Sequence, residues 1–129
     1  MKKGGAAGDL DRAVTDQAVQ WLGDRRDDKF FLWLHYKNPH APYHPQDEFR
    51  GAELRAYDGR FDGSWASIDS IYLNRIDLAE RDLAHLKNLY DAEIRSTDSY
   101  IAEVLAKLDE LEISDDTFII FSADHGEEL

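Results

Sequence analysis

Cysteine is absent from the 129-residue chain. That excludes a disulfide framework, a thiolate zinc site and a cysteine nucleophile. Proline is nearly absent: its three copies all fall between Asn38 and Pro45, so only that stretch is barred from regular structure. Positive charge is in deficit, with 15 Lys and Arg against 27 Asp and Glu and a formal net charge of −12. Such a field repels phosphate backbones and disfavours nucleic-acid binding. Long apolar runs are missing as well. Phe30-Phe-Leu-Trp-Leu34 is the kind of run present, far too short to span a membrane. Lys2 and Lys3 have no apolar stretch behind them, so the start does not read as a signal peptide. No Gly-x-Ser-x-Gly elbow, Walker loop or Gly-x-Gly-x-x-Gly occurs, which leaves the Ser and Thr residues without a recognisable activating context.

What is present suits a packed core. Hydrophobic residues make up 43% of the chain, which argues against disorder and for one domain or part of one. Residues 1–8 read as a flexible lead and residues 9–129 as the domain. A helix is predicted over 9–25, capped by Asp9 or Asp11, with Val14, Ala18, Trp21 and Leu22 at helical spacing. Phe30 to Tyr36 reads as a buried strand by its length and flanks. The proline-bearing stretch Asn38 to Pro45 is then an ordered loop leaving that strand. Residues 46–75, with Gly51, Gly59 and Gly63, read as a long loop excursion, of the kind that is functional or covers something.

The strongest periodicity lies in 79–111. Leu83, Leu86, Tyr90, Ile94, Thr97, Ile101, Val104, Leu108 and Leu111 recur at steps of three and four, one face of a helix. Glu80, Asp82, Glu93, Glu103 and Lys107 fall on the other faces, and His85 on a polar one. Thr117 to Ser122 reads as a second buried strand. Two apolar strands joined through an amphipathic helix predict an α/β fold, a parallel-sheet crossover unit. Ligands of such sheets gather at the carboxyl ends of the strands, and both strands here end in a histidine-bearing polar motif.

After the second strand comes Asp124-His125-Gly126. A carboxylate and an imidazole at adjacent positions can turn to one metal ion if the backbone bends, and the glycine permits the bend. Glu127 and Glu128 add negative charge that favours a cation. A polar turn with no ligand is the plainer reading of the same residues. After the first strand comes His40, between Pro39 and Pro42. Flanking prolines hold its backbone, and an imidazole there can donate to an anionic oxygen; the plainer reading is a surface-loop histidine. His35 reads as a local strand residue, Lys37 as a lysine at the strand end within reach of an anion, and His44 has no assigned role. Asp58 to Asp69 echoes a calcium loop, but Arg60 stands where a ligand oxygen belongs and no helices flank it, which disfavours calcium there.

Three ordered segments carry a family resemblance: Phe30 to Tyr43, Leu89 to Asp98 with its helix, and Asp116 to Glu128. Together with Tyr57-Asp-Gly and Asp62-Gly-Ser64, they resemble the sulfatase branch of the alkaline phosphatase superfamily from about Asp11 to the last residue. The resemblance implies a sulfate-ester hydrolase built on an alkaline-phosphatase-like α/β domain. In that family a Cys or Ser is oxidised to formylglycine, whose hydrate attacks sulfur, and a divalent cation, usually calcium, binds the sulfate oxygens. Asp124 matches a metal ligand and His125 the adjacent ligand position. His40 matches the histidine that contacts the sulfate and is the implied catalytic and substrate-binding residue. Imidazole suits zinc or manganese better than calcium, so the metal stays open.

The family's Cys/Ser-x-Pro-x-Arg motif is absent, as is the lysine expected after Asp-His-Gly. The resemblance therefore implies a central fragment, its partners a sulfate-ester substrate and the missing remainder of the parent domain. The isolated chain is expected to be inactive, and marginally stable or self-associating. Many family members are periplasmic or secreted. A phosphotransferase or phosphodiesterase of the same superfamily, and a non-catalytic fragment, are the rival readings. If the strands share a sheet, Asp124, His125 and His40 should face one cleft, on the order of 10 Å or less across.

Overall fold

In the computed structural model, which describes residues 7–74 and 76–127, the longest element is the helix over Glu80–Glu110. At about 1.5 Å per residue it is a rod of roughly 46 Å. We call it α4; before it come α1 (Ala7–Asp24), α2 (Ala52–Ala56) and α3 (Trp65–Asn74). Short 3₁₀ turns lie at Asp47–Phe49 and Ser114–Asp116. The α1 and α4 helices thus match the expected 9–25 and 79–111 closely. Of the flexible lead expected over residues 1–8, residues 1–6 fall outside the described residues, and Ala7 and Gly8 belong to α1.

The α4 helix serves two cores. At its C-terminal end Val104, Leu108 and Leu111 pack with Ala18 and Leu22 of α1, and Phe30, Leu32 and Leu34 lie against them. At its N-terminal end Leu86 and Leu89 pack with Ala41, Tyr43, Phe61 and Ile68. Arg12 of α1 grips Glu103 of α4 through both guanidinium nitrogens, each at 2.6 Å. Both side chains are partly exposed, so that pair is worth only about 0.2–1 kcal/mol and the apolar contact does most of the joining. The second core closes where Tyr43 N–H donates to the Gly63 carbonyl at 2.8 Å. Gly63 has φ 81°, and a Cβ there would meet the Tyr43 oxygen at 2.9 Å, so only glycine fits the approach.

The buried stripe of α4 corrects the expected one. Ile94 is exposed, whereas Glu93 and Ser96 are buried on the inner face. His85, expected on a polar face in solvent, is buried and stacks on Tyr57 with ring centroids 3.5 Å apart. Burial holds its pKa below the usual imidazole value. Asp11, expected as a cap, lies inside α1 and is fully buried.

The fold class itself is corrected. The structure is helical, and among the described residues it contains no strand or sheet, so the α/β parallel-sheet crossover unit is not formed. From Phe30 to Tyr36 the side chains do alternate, with Phe30, Leu32, Leu34 and Tyr36 half-buried and Phe31, Trp33 and His35 exposed. That is the two-residue period of extended backbone. A strand also needs a neighbour to pair with its N–H and C=O groups, and neither this segment nor residues 117–122 has one among the described residues. Phe31 is 85% exposed and Phe118 89%, so the composition that predicted buried strands marks extended, largely unburied segments. Among the described residues no helix is long and apolar enough to cross a membrane.

Two stability outcomes follow from this packing. Leu22→Ala or Leu86→Ala, each at a fully buried leucine, should cost about 2–5 kcal/mol in urea unfolding. Glu112 ends α4 at φ 59°, with Ile113 N–H reaching back to the Leu108 carbonyl at 3.1 Å. Replacing this exposed, left-handed residue by glycine should raise stability by about 0.5–1 kcal/mol. An unchanged or lowered urea midpoint for Glu112→Gly would count against that reading of the helix end.

Candidate active site

His40 sits in the loop that leaves the extended Phe30–Tyr36 segment. Its backbone N–H closes a turn onto the Lys37 carbonyl at 3.3 Å. Its Nδ1 lies 2.6 Å from the Ala41 carbonyl. A carbonyl only accepts, so Nδ1 carries the hydrogen and the neutral ring presents a bare Nε2. Donation from Nε2 to an anion therefore requires the imidazolium form.

His125 is held in the same way. Its Nδ1 lies 2.7 Å from the Gly126 carbonyl, which again leaves Nε2 as the free lone pair. Asp124 uses Oδ1 to accept the His125 backbone N–H at 3.1 Å. Its Oδ2 stands 4.0 Å from His125 Nε2. The backbone N–H of Asp124 itself, then His125, hold the Asp124 carboxyl below its usual range. The Gly126 carbonyl, then Asp124, push the His125 ring up.

These two short motifs, 85 positions apart, come together. The His40 and His125 rings are 6.3 Å apart at their centroids, edge to face. Glu127 also comes near the Tyr43 hydroxyl: burial first, then the Glu127 carboxylate, push the Tyr43 pKa up. Trp65, the first residue of α3, is the other neighbour of His40, with centroids 5.9 Å apart. Its ring is half exposed, so an aromatic face borders the His40 ring.

Other candidates stand elsewhere. His44 gives its backbone N–H to Glu93 while its side chain is exposed. Lys37 is exposed and gives its backbone N–H to Asp11. His35 is exposed but close enough to Asp124 to help lower its pKa. In the calcium-like stretch, Asp58 pairs with Arg81 at 2.6 Å and Asp62 accepts the Ser64 N–H at 3.0 Å, local bonds that occupy both acids. Glu128 lies outside the described residues. Trp65 was missed in the sequence because no spacing ties it to either histidine. Asp11 and Glu93, which anchor the His40 loop, were missed because helical periodicity put one at a cap and the other on a solvent face.

Among the described residues no group of three or more His, Asp or Glu side chains comes together as a metal site. Asp124 Oδ2 and His125 Nε2 are spaced so that one cation with bonds of about 2.1–2.5 Å could bridge them. They fit as two ligands of a site, not as a whole one. What the chain itself can do is place the His40 imidazole beside a carboxylate–imidazole pair.

The sulfatase family model matches residues 2–129. The multifunctional alkaline phosphatase superfamily protein PehA of Trinickia caryophylli is 31% identical over 137 residues, covering 89% of this chain and 27% of that protein. An endo-4-O-sulfatase of Bacteroides thetaiotaomicron is 26% identical over 110 residues, covering 83% of this chain and 20% of its own length. The chain thus spans about a quarter of the length of these relatives. No solved structure matches it.

The convergence of the two motifs is open to direct measurement. Proton–proton cross-relaxation between the His40 and His125 rings should be visible by NMR in the 129-residue chain and should vanish in His40→Ala. Absence of that cross-peak, with both rings assigned, would show that the motifs do not meet.

Proposed function

Because this chain belongs to the sulfatase family, we propose that it is part of a sulfuric ester hydrolase in which His40 contacts the sulfate group. Asp124 and His125 supply two ligands to a divalent cation that binds the same sulfate. Calcium is the first choice, with zinc or manganese as the alternatives that imidazole favours. The observation that carries the reading is the 6.3 Å approach of the His40 and His125 rings, in a chain whose ordered motifs match the family.

The residues at hand would divide the work simply. Protonated His40 donates from Nε2 to an anionic oxygen and offsets its charge. Trp65 shields one side and offers a face to the organic group of an ester. The nucleophile, formylglycine in the family, has no counterpart motif in the sequence and belongs in this proposal to the rest of the protein.

A second reading draws on PehA, whose name places it in the wider alkaline phosphatase superfamily and calls it multifunctional. A phosphotransferase or phosphodiesterase would use the same cleft on a phosphate ester, and phosphate against sulfate is the comparison that separates the two.

Binding, rather than turnover, is the test suited to this chain. Sodium sulfate added with calcium or manganese chloride should shift the His40 ring signals, and Asp124→Asn should abolish the cation dependence. Phosphate displacing sulfate at far lower concentration would favour the second reading. Sulfate that leaves His40 unmoved, with or without cation, would contradict both.

A further inference from the structure

The loop from Lys37 to His44 is held by two carboxylates from two different helices. Asp11 of α1 accepts the backbone N–H of Lys37 on Oδ1 at 2.8 Å and that of Asn38 on Oδ2 at 2.9 Å. Glu93 of α4 accepts the Asn38 side-chain amide on Oε2 at 2.8 Å and the His44 backbone N–H on Oε1. Asp11 and Glu93 are each only 1% exposed. All four of these bonds come from neutral N–H groups, and none comes from a cation. His40 lies between the two anchored ends.

A buried carboxylate without a cation in contact is a poor way to gain stability. It is a good way to fix backbone N–H groups, because charged acceptors make the stronger hydrogen bonds. We infer that Glu93 is a positioning residue for His40: its ionised carboxylate, together with Asp11, pins both ends of the loop and so sets where the His40 ring stands relative to His125. The inference rests on the reading of His40 as the anion-contacting group and deepens it.

The donor–acceptor count shows how protonation would change the clamp. An ionised Glu93 offers two acceptors to two donors. A protonated Glu93 turns one oxygen into a donor that faces another donor. Asn38 Oδ1 is buried and has no hydrogen-bond partner among the described residues. Rotation of the Asn38 amide would bring that oxygen to the new O–H, so the anchor changes form with one proton.

The groups facing Glu93 are Asp11 from α1, Arg50 after the 3₁₀ turn and the His44 N–H. Burial first pushes its carboxyl up to about 7, with Asp11 adding to the rise and the His44 N–H and Arg50 opposing it. The folded chain thus holds this proton at a pH where the unfolded chain, near 4.5, has lost it. Its contribution to stability is largest below about 4.5 and declines as pH rises towards 7. The buried His85, whose pKa is lowered, contributes with the opposite slope below its usual value. The ionised clamp therefore holds the loop most firmly in the pH range where it costs the fold most.

The experiment uses the full 129-residue chain and follows three NMR signals from pH 5 to 9. These are the Asn38 side-chain amide, the His44 backbone amide and the His40–His125 cross-peak. The variants are Glu93→Gln, Glu93→Asp and, as a control on an exposed α4 acid, Asp91→Asn. In the unaltered chain the two amides should share a titration with its midpoint near 7. Glu93→Gln should remove that titration and lose the ring cross-peak at pH 8. Glu93→Asp should keep the titration, and Asp91→Asn should change neither signal.

A Glu93→Gln chain that keeps the cross-peak at pH 8 would overturn the inference and leave Glu93 a structural residue. Should Glu93→Gln not fold, the unaltered chain decides alone: amides that do not titrate between pH 5 and 9 overturn it. A chain in which the clamp behaves as stated but sulfate fails to move His40 retains the positioning role and loses the sulfate reading.

Discussion

Two buried carboxylates on two helices hold one loop, and the candidate site depends on that attachment. The loop around His40 has no strand or helix to fix it. Its order comes from the four N–H groups that Asp11 and Glu93 accept. Those acids lie on α1 and α4, which pack together further along through Leu22, Val104 and Leu108, and each is only 1% exposed. The second core, around Tyr43, Leu86 and Leu89, then seats the far end of the loop. Sequence thus acts on function through helix packing first and through loop chemistry second.

The two long helices were legible by their 3.6-residue periodicity, and α4 runs over Glu80–Glu110 where spacing placed it, whereas α2 and α3 lie inside residues 46–75, which read as a loop excursion. The sheet was not formed because strand propensity is a property of one segment while a ladder is a property of two. Phe30 to Tyr36 kept the extended, alternating backbone its composition favours, without a neighbour to complete it. The inward turn of Glu93 was hidden for a related reason. Periodicity counts an acid as polar and assigns it to solvent, whereas Glu93 answers to donors on a loop 49 and 55 positions away.

The three candidate site residues stand out in the sequence by type and motif, and the structure adds how each ring is held. Both histidines spend Nδ1–H on a nearby carbonyl, Ala41 for His40 and Gly126 for His125. The same tautomer serves two ends. A bare Nε2 beside a carboxylate suits a cation ligand, and a bare Nε2 facing an anion works only once protonated. Asp124, kept ionised by its backbone and by His125, is what separates the environments of two otherwise similar rings. Trp65 stands beside His40 without any motif to announce it.

The central claim is that His40 and the Asp124–His125 pair form one site for a cation and the anion it binds. The most direct measurement is an anomalous difference map at the manganese edge, from crystals of this chain soaked in manganese chloride and sulfate. The account predicts a manganese peak within about 2.0–2.5 Å of Asp124 Oδ2 and His125 Nε2, with a sulfate between it and His40. Manganese found only on acids away from Asp124, or a His40 ring turned from an occupied site, would contradict it.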